Sequence, residues 1–228
     1  YDVESFECSD CPNACLIRRV VVAGEQPLHY GSRCGKYDEA RRPAPGRRLP
    51  RLFAERERLL LAPDPAAQAL PPDAPVIGMP RATIFHDQFP FWQAFFATLG
   101  FRLVPSPATN RAIINRGCAA ALEEPCLPIK AAHGHILALL AQGVGHLFLP
   151  CAVNAEPAVP DAVESYLCLF VQSLPFTARA AIDLAASRTR VLSPVLHPAW
   201  GEKIFLRQLR DLARGLGCPA ALVPRAFA

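Results

Sequence analysis

Apolar residues occur in short blocks through the last two-thirds of the chain, and these blocks alternate in period between strand and helix. Residues 76–80 have the continuous apolar pattern of a buried strand. Residues 90–99 then place their aromatic side chains on one helical face, and Gly100 follows as a C-terminal stop. The pattern further predicts strands at 101–105, 145–150 and 190–194, an apolar run at 166–171, and helices at 109–122, 128–142, 203–216 and after Pro175.

Short apolar strands separated by helices are typical of a parallel sheet that is covered on both faces. We therefore predict an α/β domain over residues 76–228, with a mainly parallel, Rossmann-like sheet flanked by helices. Several of the predicted strands end in proline, which marks where the chain leaves the sheet. Because ligands of open α/β sheets bind beyond the carboxyl ends of the strands, one edge should carry Arg81, Ser106, Asn110, Cys151 and His197.

Four cysteines near the start of the chain have the spacing of a metal site. Three lie within residues 8–15, and Cys34 follows a predicted hairpin that turns at Gly24 and Glu25. The hairpin would return Cys34 to the other three, so that four thiolates surround one tetrahedral point. Such a set suits zinc and an iron–sulfur cluster equally. We therefore predict a small metal-binding hairpin unit over residues 1–40, with the ligands Cys8, Cys11, Cys15 and Cys34.

Residues 41–75 differ from both neighbours because arginine and proline dominate them. The prolines interrupt regular structure and indicate a linker, with one short amphipathic helix around residues 52–61. The alternative is a basic docking surface for an acidic partner or a nucleic acid, formed by residues 41–58.

The overall composition narrows the class of protein. Apolar residues make up 51% of the chain, which is enough for a sizeable core. Nine cysteines are an odd number and favour reduced thiols over a disulfide framework, so we expect a cytoplasmic protein. The abundance of Ala, Arg and Pro favours a bacterial source. No apolar run approaches the roughly 20 residues that span a bilayer, we expect no signal peptide, and the net charge of +4 is too small to indicate nucleic-acid binding by itself.

Cys126 lies directly before a predicted helix, because Pro128 suits a first helical turn and apolar residues then recur on one face. Unpaired N–H groups and the helix dipole favour an anion at that position. Cys126 is thus placed for metal ligation or for nucleophilic chemistry, and the alternative is an inert, buried thiol.

Three stretches together resemble a known family. The chain is similar to a domain of the large acyl-CoA dehydratase activase-related proteins, which is itself similar to the cluster-binding subunits of 2-hydroxyacyl-CoA dehydratases. The resemblance covers nearly all of the chain. It rests on the cysteine-containing residues 7–38, on residues 77–92 with 106–111, and on residues 124–135 with 170–175.

The resemblance implies an oxygen-sensitive iron–sulfur system in which an ATP-hydrolysing activase delivers low-potential electrons for reaction of a CoA thioester. Cys126 and Cys168 match the cluster ligands of the family, and a third ligand could be Cys151 or Cys218 or could lie in a part absent here. Arg81, Asn110 and Lys130 are the expected substrate-binding residues. The activase would be a separate domain or subunit.

Two other functions remain open at this point. One is a metal-stapled scaffold or assembly domain without chemistry of its own. The other, which fits the small net charge less well, is a zinc-bearing nucleic-acid binder.

Overall fold

The structure is a computed structural model that describes residues 1–37, 50–157, 159, 165–184 and 186–227. The chain divides into two compact units, residues 1–52 and residues 53–228. Residues 53–75 belong to the second unit, and residues 41–49 of the predicted linker lie outside the described ranges.

The first unit is an antiparallel sheet of three strands, β1 (Asp2–Glu7), β2 (Leu16–Val21) and β3 (Leu28–Tyr30), in that order. The hairpin of β2 and β3 agrees with the sequence prediction, and β1 extends it along the full length of β2, from Asp2 opposite Val21 to Glu7 opposite Leu16. The end of β1, the start of β2 and the end of β3 therefore lie at the same end of the sheet.

The second unit contains a parallel four-stranded sheet, which confirms the predicted α/β class. Its strands have the order β5-β4-β6-β8, and β7 pairs with β9 in a separate parallel ladder beyond them. The six strands are β4 (Val76–Met79), β5 (Arg102–Pro105), β6 (His146–Phe148), β7 (Cys151–Ala152), β8 (Arg190–Leu192) and β9 (Val195–Leu196).

Helices connect these strands, with short 3₁₀ turns at Pro198–Trp200 and Ala220–Leu222. The short helix predicted near residue 52 is present. The helices are α1 (Leu52–Leu60), α2 (Pro65–Gln68), α3 (Phe85–Thr98), α4 (Arg111–Ala120), α5 (Leu127–Ala141), α6 (Leu169–Ala181), α7 (Glu202–Gly215) and α8 (Val223–Phe227).

Two helices begin before the prolines at which the sequence predicted their first turns. Helix α3 continues through Pro90, which has no N–H to donate to the carbonyl of His86. The guanidinium of Arg56 donates to that carbonyl instead, at 2.8 Å. Helix α6 likewise contains Pro175, and it begins at Leu169 within the apolar run that we had assigned to residues 166–171.

The sheet separates two apolar layers, because alternate strand residues point to opposite faces. Ile77 and Phe148 pack with the aromatic face of α3 and with α7 and α8. Leu147 packs on the opposite side with α5 and α6, through residues that include Ile136 and Ala178. Helices α5 and α6 therefore lie side by side on one face, and each precedes a strand of the same parallel sheet.

Helices α4 and α5 cross in close contact at two glycines. A Cβ atom on Gly117 would lie 1.9 Å from the carbonyl oxygen of Lys130, and one on Gly134 would lie 1.9 Å from that of Ile113. These are backbone atoms of the facing helix, so a side chain would have to push the two helices apart. The crossing holds the segment 121–126 at the start of α5.

Gly134→Ala should therefore destabilise the protein by about 3 kcal/mol or more, since overpacking against backbone costs at least as much as overpacking a core. Gly215→Ala is the matched control: it also lies in a helix, has no atom within 4 Å of the added Cβ, and should be neutral or stabilising by up to about 1 kcal/mol. Urea unfolding of both variants measures the difference. Equal stability of the two would contradict the close crossing.

Candidate functional site

Cys126 and Cys168 occupy the same position in two helices, because each is the N-cap residue. Their backbone angles are similar, with φ −60° and ψ 155° at Cys126 and φ −52° and ψ 138° at Cys168. The carbonyl of each accepts hydrogen bonds from the third and fourth residues after it, at 2.9–3.1 Å. Both cysteines are exposed. Neither thiol makes a side-chain cap hydrogen bond within the described residues, and each cysteine lies at the positive end of a helix dipole, which favours negative charge.

The first turns of the two helices pack against each other. Ile129 and Ala132 of α5 form a buried cluster with Leu174 of α6, and Val171 packs against it. Ile129 and Val171 each lie three residues after the N-cap of their helix, and Ala132 and Leu174 each lie six residues after it. The two helices therefore contact each other through equivalent positions. The packing brings the starts together and leaves both cysteines at the same edge.

This edge is also where an open α/β sheet binds ligands. Ala82, in the loop after β4, belongs to the same buried cluster as the two first turns. Strand β4 lies at the point where the strand order reverses, since the chain continues to β5 on one side and to β6 on the other. Crevices beyond the carboxyl ends of the strands at such a reversal are the usual ligand sites of this fold class.

The two candidate third ligands lie in different places. Cys151 is buried in β7, beyond the end of β6, and burial raises the pKa of its thiol. The Cys218 thiol donates to the carbonyl of Leu99 at 3.6 Å, at the C-terminal end of α3 and thus at the opposite edge of the sheet. Burial raises its pKa also. The structure brings Cys151, but not Cys218, to the edge that carries Cys126.

Two of the three predicted substrate-binding residues are cations with a carboxylate partner. Lys130 pairs with Glu124, and this hydrogen bond raises the pKa of the ammonium group. Arg81 pairs through Nη1 with Glu57 at 2.9 Å, while its buried Nε has no hydrogen-bond partner among the described residues. Asn110 caps α4, because its Oδ1 accepts from the N–H of Ile113 at 3.0 Å.

A buried polar network that the sequence did not predict lies under this edge. The Arg81 N–H donates to Ser106 Oγ at 2.9 Å, and Ser106 Oγ lies 2.8 Å from Nδ1 of His135. Nε2 of the same imidazole lies 3.0 Å from Thr109 Oγ1. A neutral ring satisfies all three contacts, with the Ser106 hydroxyl donating to Nδ1 and the Nε2–H donating to Thr109.

Electrostatics agree with a neutral imidazole. The pKa of His135 is lowered to about 4, chiefly by burial and in addition by the nearby charges of Arg81 and His86. The network ties α5 to the loop after β5. The sequence shows Ser106 and Thr109 after a strand and His135 within an apolar helix. Nothing in the local pattern indicates that these residues contact each other.

Exposed apolar side chains surround the two helix starts. Leu127, directly after Cys126, is 56% exposed, and Leu169, directly after Cys168, is 76% exposed. Phe170 is exposed as well and lines a cavity of about 60 Å³. Large apolar side chains thus flank both cysteines at this edge.

The four N-terminal cysteines line one cavity of about 370 Å³ in the first unit. The Cys8 thiol contacts Asp10 at 3.6 Å and accepts from the Tyr37 hydroxyl at 3.8 Å, and Cys34 lies 3.6 Å from Ser32 Oγ. Within the part of the chain that the structure describes, no three His, Cys, Asp or Glu side chains already have the arrangement of a metal site.

The structure describes part of the basic surface that was predicted at residues 41–58. Residues 41–49, which carry four of the arginines of the proposed nucleic-acid surface, lie outside the described residues. Arg56 and Arg58 are paired with Asp87 and Glu55. None of the helices in the described ranges is long and apolar enough to cross a membrane.

The chain thus contains an α/β domain with two cysteines at helix N-cap positions near the carboxyl edge of its sheet. Residues 76–228 match the family described as CoA enzyme activase uncharacterised domain (DUF2229), and the chain belongs to this family. Comparison with curated proteins found no match, and comparison with solved structures found none either. The relation to CoA enzyme activase proteins is thereby confirmed, whereas the similarity to iron–sulfur dehydratase subunits stays a prediction.

The neutral His135 should make stability depend on pH. Its folded pKa, about 4, lies below the unfolded value near 6.5, so unfolding binds a proton between these values. The contribution of this group is fully present above pH 6.5 and is lost as the pH falls towards 4. Urea unfolding at several pH values should show this slope, and His135→Gln should reduce it. Equal slopes in both proteins would contradict the assignment.

Proposed function

We propose that this chain is a domain of an ATP-dependent iron–sulfur system, in which Cys126 and Cys168 ligate a cluster for low-potential electron transfer to a CoA-thioester-type substrate. The observation that carries the proposal is the matching position of the two thiols, each at the N-cap of a helix whose first turn packs against the other. Membership of a CoA enzyme activase family supports it.

The donor set suits such a cluster. Cysteine thiolates are the usual protein ligands of iron–sulfur clusters, which supply one-electron chemistry at potentials that the surroundings adjust. At both helix starts, the positive end of the helix dipole favours the negative charge of a thiolate-ligated cluster. These two cysteines are fewer than the four ligands of a complete site, so the others come from Cys151 or from outside the domain.

The exposed Leu127 and Leu169 support a partner that covers the site. An activase must bring its own redox centre close to the cluster, and a lid of protein would also exclude oxygen and water. We therefore assign the apolar side chains beside the two cysteines to the contact with the ATPase activase domain or subunit.

Arg81 and Lys130 would serve the substrate. The partly exposed Arg81 guanidinium lies near the carboxyl edge of β4, and the phosphates of CoA are anions that such a group binds. Asn110 would act at a distance from the substrate, because its side chain already caps α4.

Anaerobic reconstitution with iron and sulfide tests the cluster proposal. We expect the full chain to gain visible absorbance and acid-labile sulfide, and Cys126→Ser or Cys168→Ser to reduce both at least fivefold, because each removes a protein ligand. Cys218→Ser is the matched control, since this half-buried thiol lies at the opposite edge and should leave the cluster content unchanged.

The first unit could bind iron as well, so Cys15→Ser is included as a second control. Cluster content that survives Cys126→Ser and Cys168→Ser but disappears in Cys15→Ser would place the iron in the N-terminal unit and contradict the proposal. The scaffold alternative would then explain the chain better.

Substrate recognition is tested separately by binding of CoA itself. Arg81→Gln should weaken binding of CoA to the full chain by about tenfold, which corresponds to the loss of one charge-assisted contact of about 1.4 kcal/mol. Arg214→Gln is the control, because that exposed arginine pairs with Asp211 on α7. Equal affinities of the two variants, measured by isothermal titration calorimetry, would remove Arg81 from the substrate site.

A further inference from the structure

The N-terminal unit has almost no apolar core of its own. Among its described residues, Ile17 and Cys8 are the buried apolar side chains, and all six residues of β1 are exposed. Val3, Leu16, Leu28 and Tyr30 are large apolar residues that this sheet leaves exposed. Burial of one isoleucine is far too little to hold three strands in register.

Units of this size normally depend on a covalent or metal cross-link. Below about 70–80 residues a single apolar core rarely supplies enough stability, and such units use disulfides, metals or association instead. All nine cysteines lie in described parts of the chain, and no disulfide links them. Of the usual means of stabilising a small unit, a metal ion or association with another chain therefore remains.

The strand topology places the four N-terminal cysteines where one ion could link them. Cys8 directly follows β1, Cys15 directly precedes β2, and Cys34 follows the end of β3, all at the same end of the sheet. Cys11 lies in the loop between the first two of these strands. The four line a single cavity, so the loops that they occupy already converge.

The loops have backbone features of tight turns around this cavity. Ala14 has φ 44°, a left-handed conformation that is uncommon outside glycine, and its N–H donates to the carbonyl of Cys11 at 3.2 Å. Gly31 has φ 101°, and a Cβ atom there would lie 2.4 Å from the carbonyl oxygen of Leu16. These turns bring the cysteine-bearing loop 8–15 and the segment after β3 together.

We propose that this unit is a metal-dependent fold, in which one Zn²⁺ bound by Cys8, Cys11, Cys15 and Cys34 supplies the stabilisation that the apolar core lacks. The role is structural, because four thiolates complete a tetrahedral site and leave no open position for a substrate. The proposal is independent of a cluster at Cys126 and Cys168, and the unit lies outside residues 76–228 that define the family.

Binding replaces the present thiol contacts by four bonds to the ion. Each thiol gives up its proton to solvent when it becomes a zinc-bound thiolate, and the metal keeps its oxidation state. The Cys8 contacts with Asp10 and Tyr37 and the Cys34 contact with Ser32 are exchanged in this step. Arg51 lines the same cavity and adds positive charge near a four-thiolate zinc site, whereas Lys36 pairs with Asp10.

Metal analysis and limited proteolysis of the full chain test the proposal. We expect one zinc per chain after purification, removal of it by a strong chelator, and restoration by Zn²⁺. Co²⁺ as the probe should give the absorption bands of tetrahedral cobalt thiolate. Cleavage within residues 1–37 should become at least tenfold faster without metal, while thermal unfolding of the α/β unit stays unchanged.

Variants locate the site. Cys11→Ser and Cys34→Ser should lower the affinity for Co²⁺ at least a hundredfold, whereas Cys118→Ser, which alters an exposed thiol on α4, should not change it. Retention of zinc in Cys126→Ser separates this result from the cluster proposal. Protease resistance of residues 1–37 without metal, iron and sulfide in place of zinc, or cobalt bands unaffected by Cys11→Ser would overturn the inference.

Discussion

The packing of two first helical turns determines the architecture of the candidate site. Ile129 and Ala132 of α5 meet Leu174 of α6 beside Ala82, and this small buried cluster sets the distance and direction of both helix starts. The N-cap residues follow from that contact, since each lies three residues before a member of the packed set. A change in this packing would separate Cys126 from Cys168 without touching either thiol.

Helix α5 is itself held from three directions. Its apolar residues pack on the sheet through Ile136 and Leu139, Gly134 permits the close crossing of α4, and His135 joins it to the loop after β5. These contacts use different sides of one 15-residue helix. The dense packing buries the middle of α5 and leaves its two ends accessible, and the N-terminal end carries Cys126.

Much of the second unit could be predicted from the sequence, because its strands are short apolar runs between helices with strong apolar faces. The first residues of the helices were harder to predict from the sequence. Pro90 and Pro175 suggested first turns, but tertiary contacts such as that of Arg56 with the His86 carbonyl allow a helix to continue through proline. The hydrophobic pattern therefore placed Cys168 within an apolar run, and it did not predict that Cys168, like Cys126, is the N-cap residue of a helix.

Long-range contacts account for the other differences. The partners of His135 lie 26 and 29 residues away, so local periodicity holds no information about them. Strand β1 has an alternating pattern too weak to recognise, since all of its residues are exposed. The hairpin of β2 and β3, by contrast, could be predicted, because a hairpin needs only local turn signals.

The central claim is that Cys126 and Cys168 share one site, and a thiol cross-link tests it most directly. Anaerobic protein is treated with a short reagent that bridges two thiols, and the linked peptides are identified by mass spectrometry. The packing of the two helix starts predicts a dominant link between Cys126 and Cys168, reduced by enlarging Ala132 to leucine. Single modification of each cysteine, with no link between them, would contradict the claim.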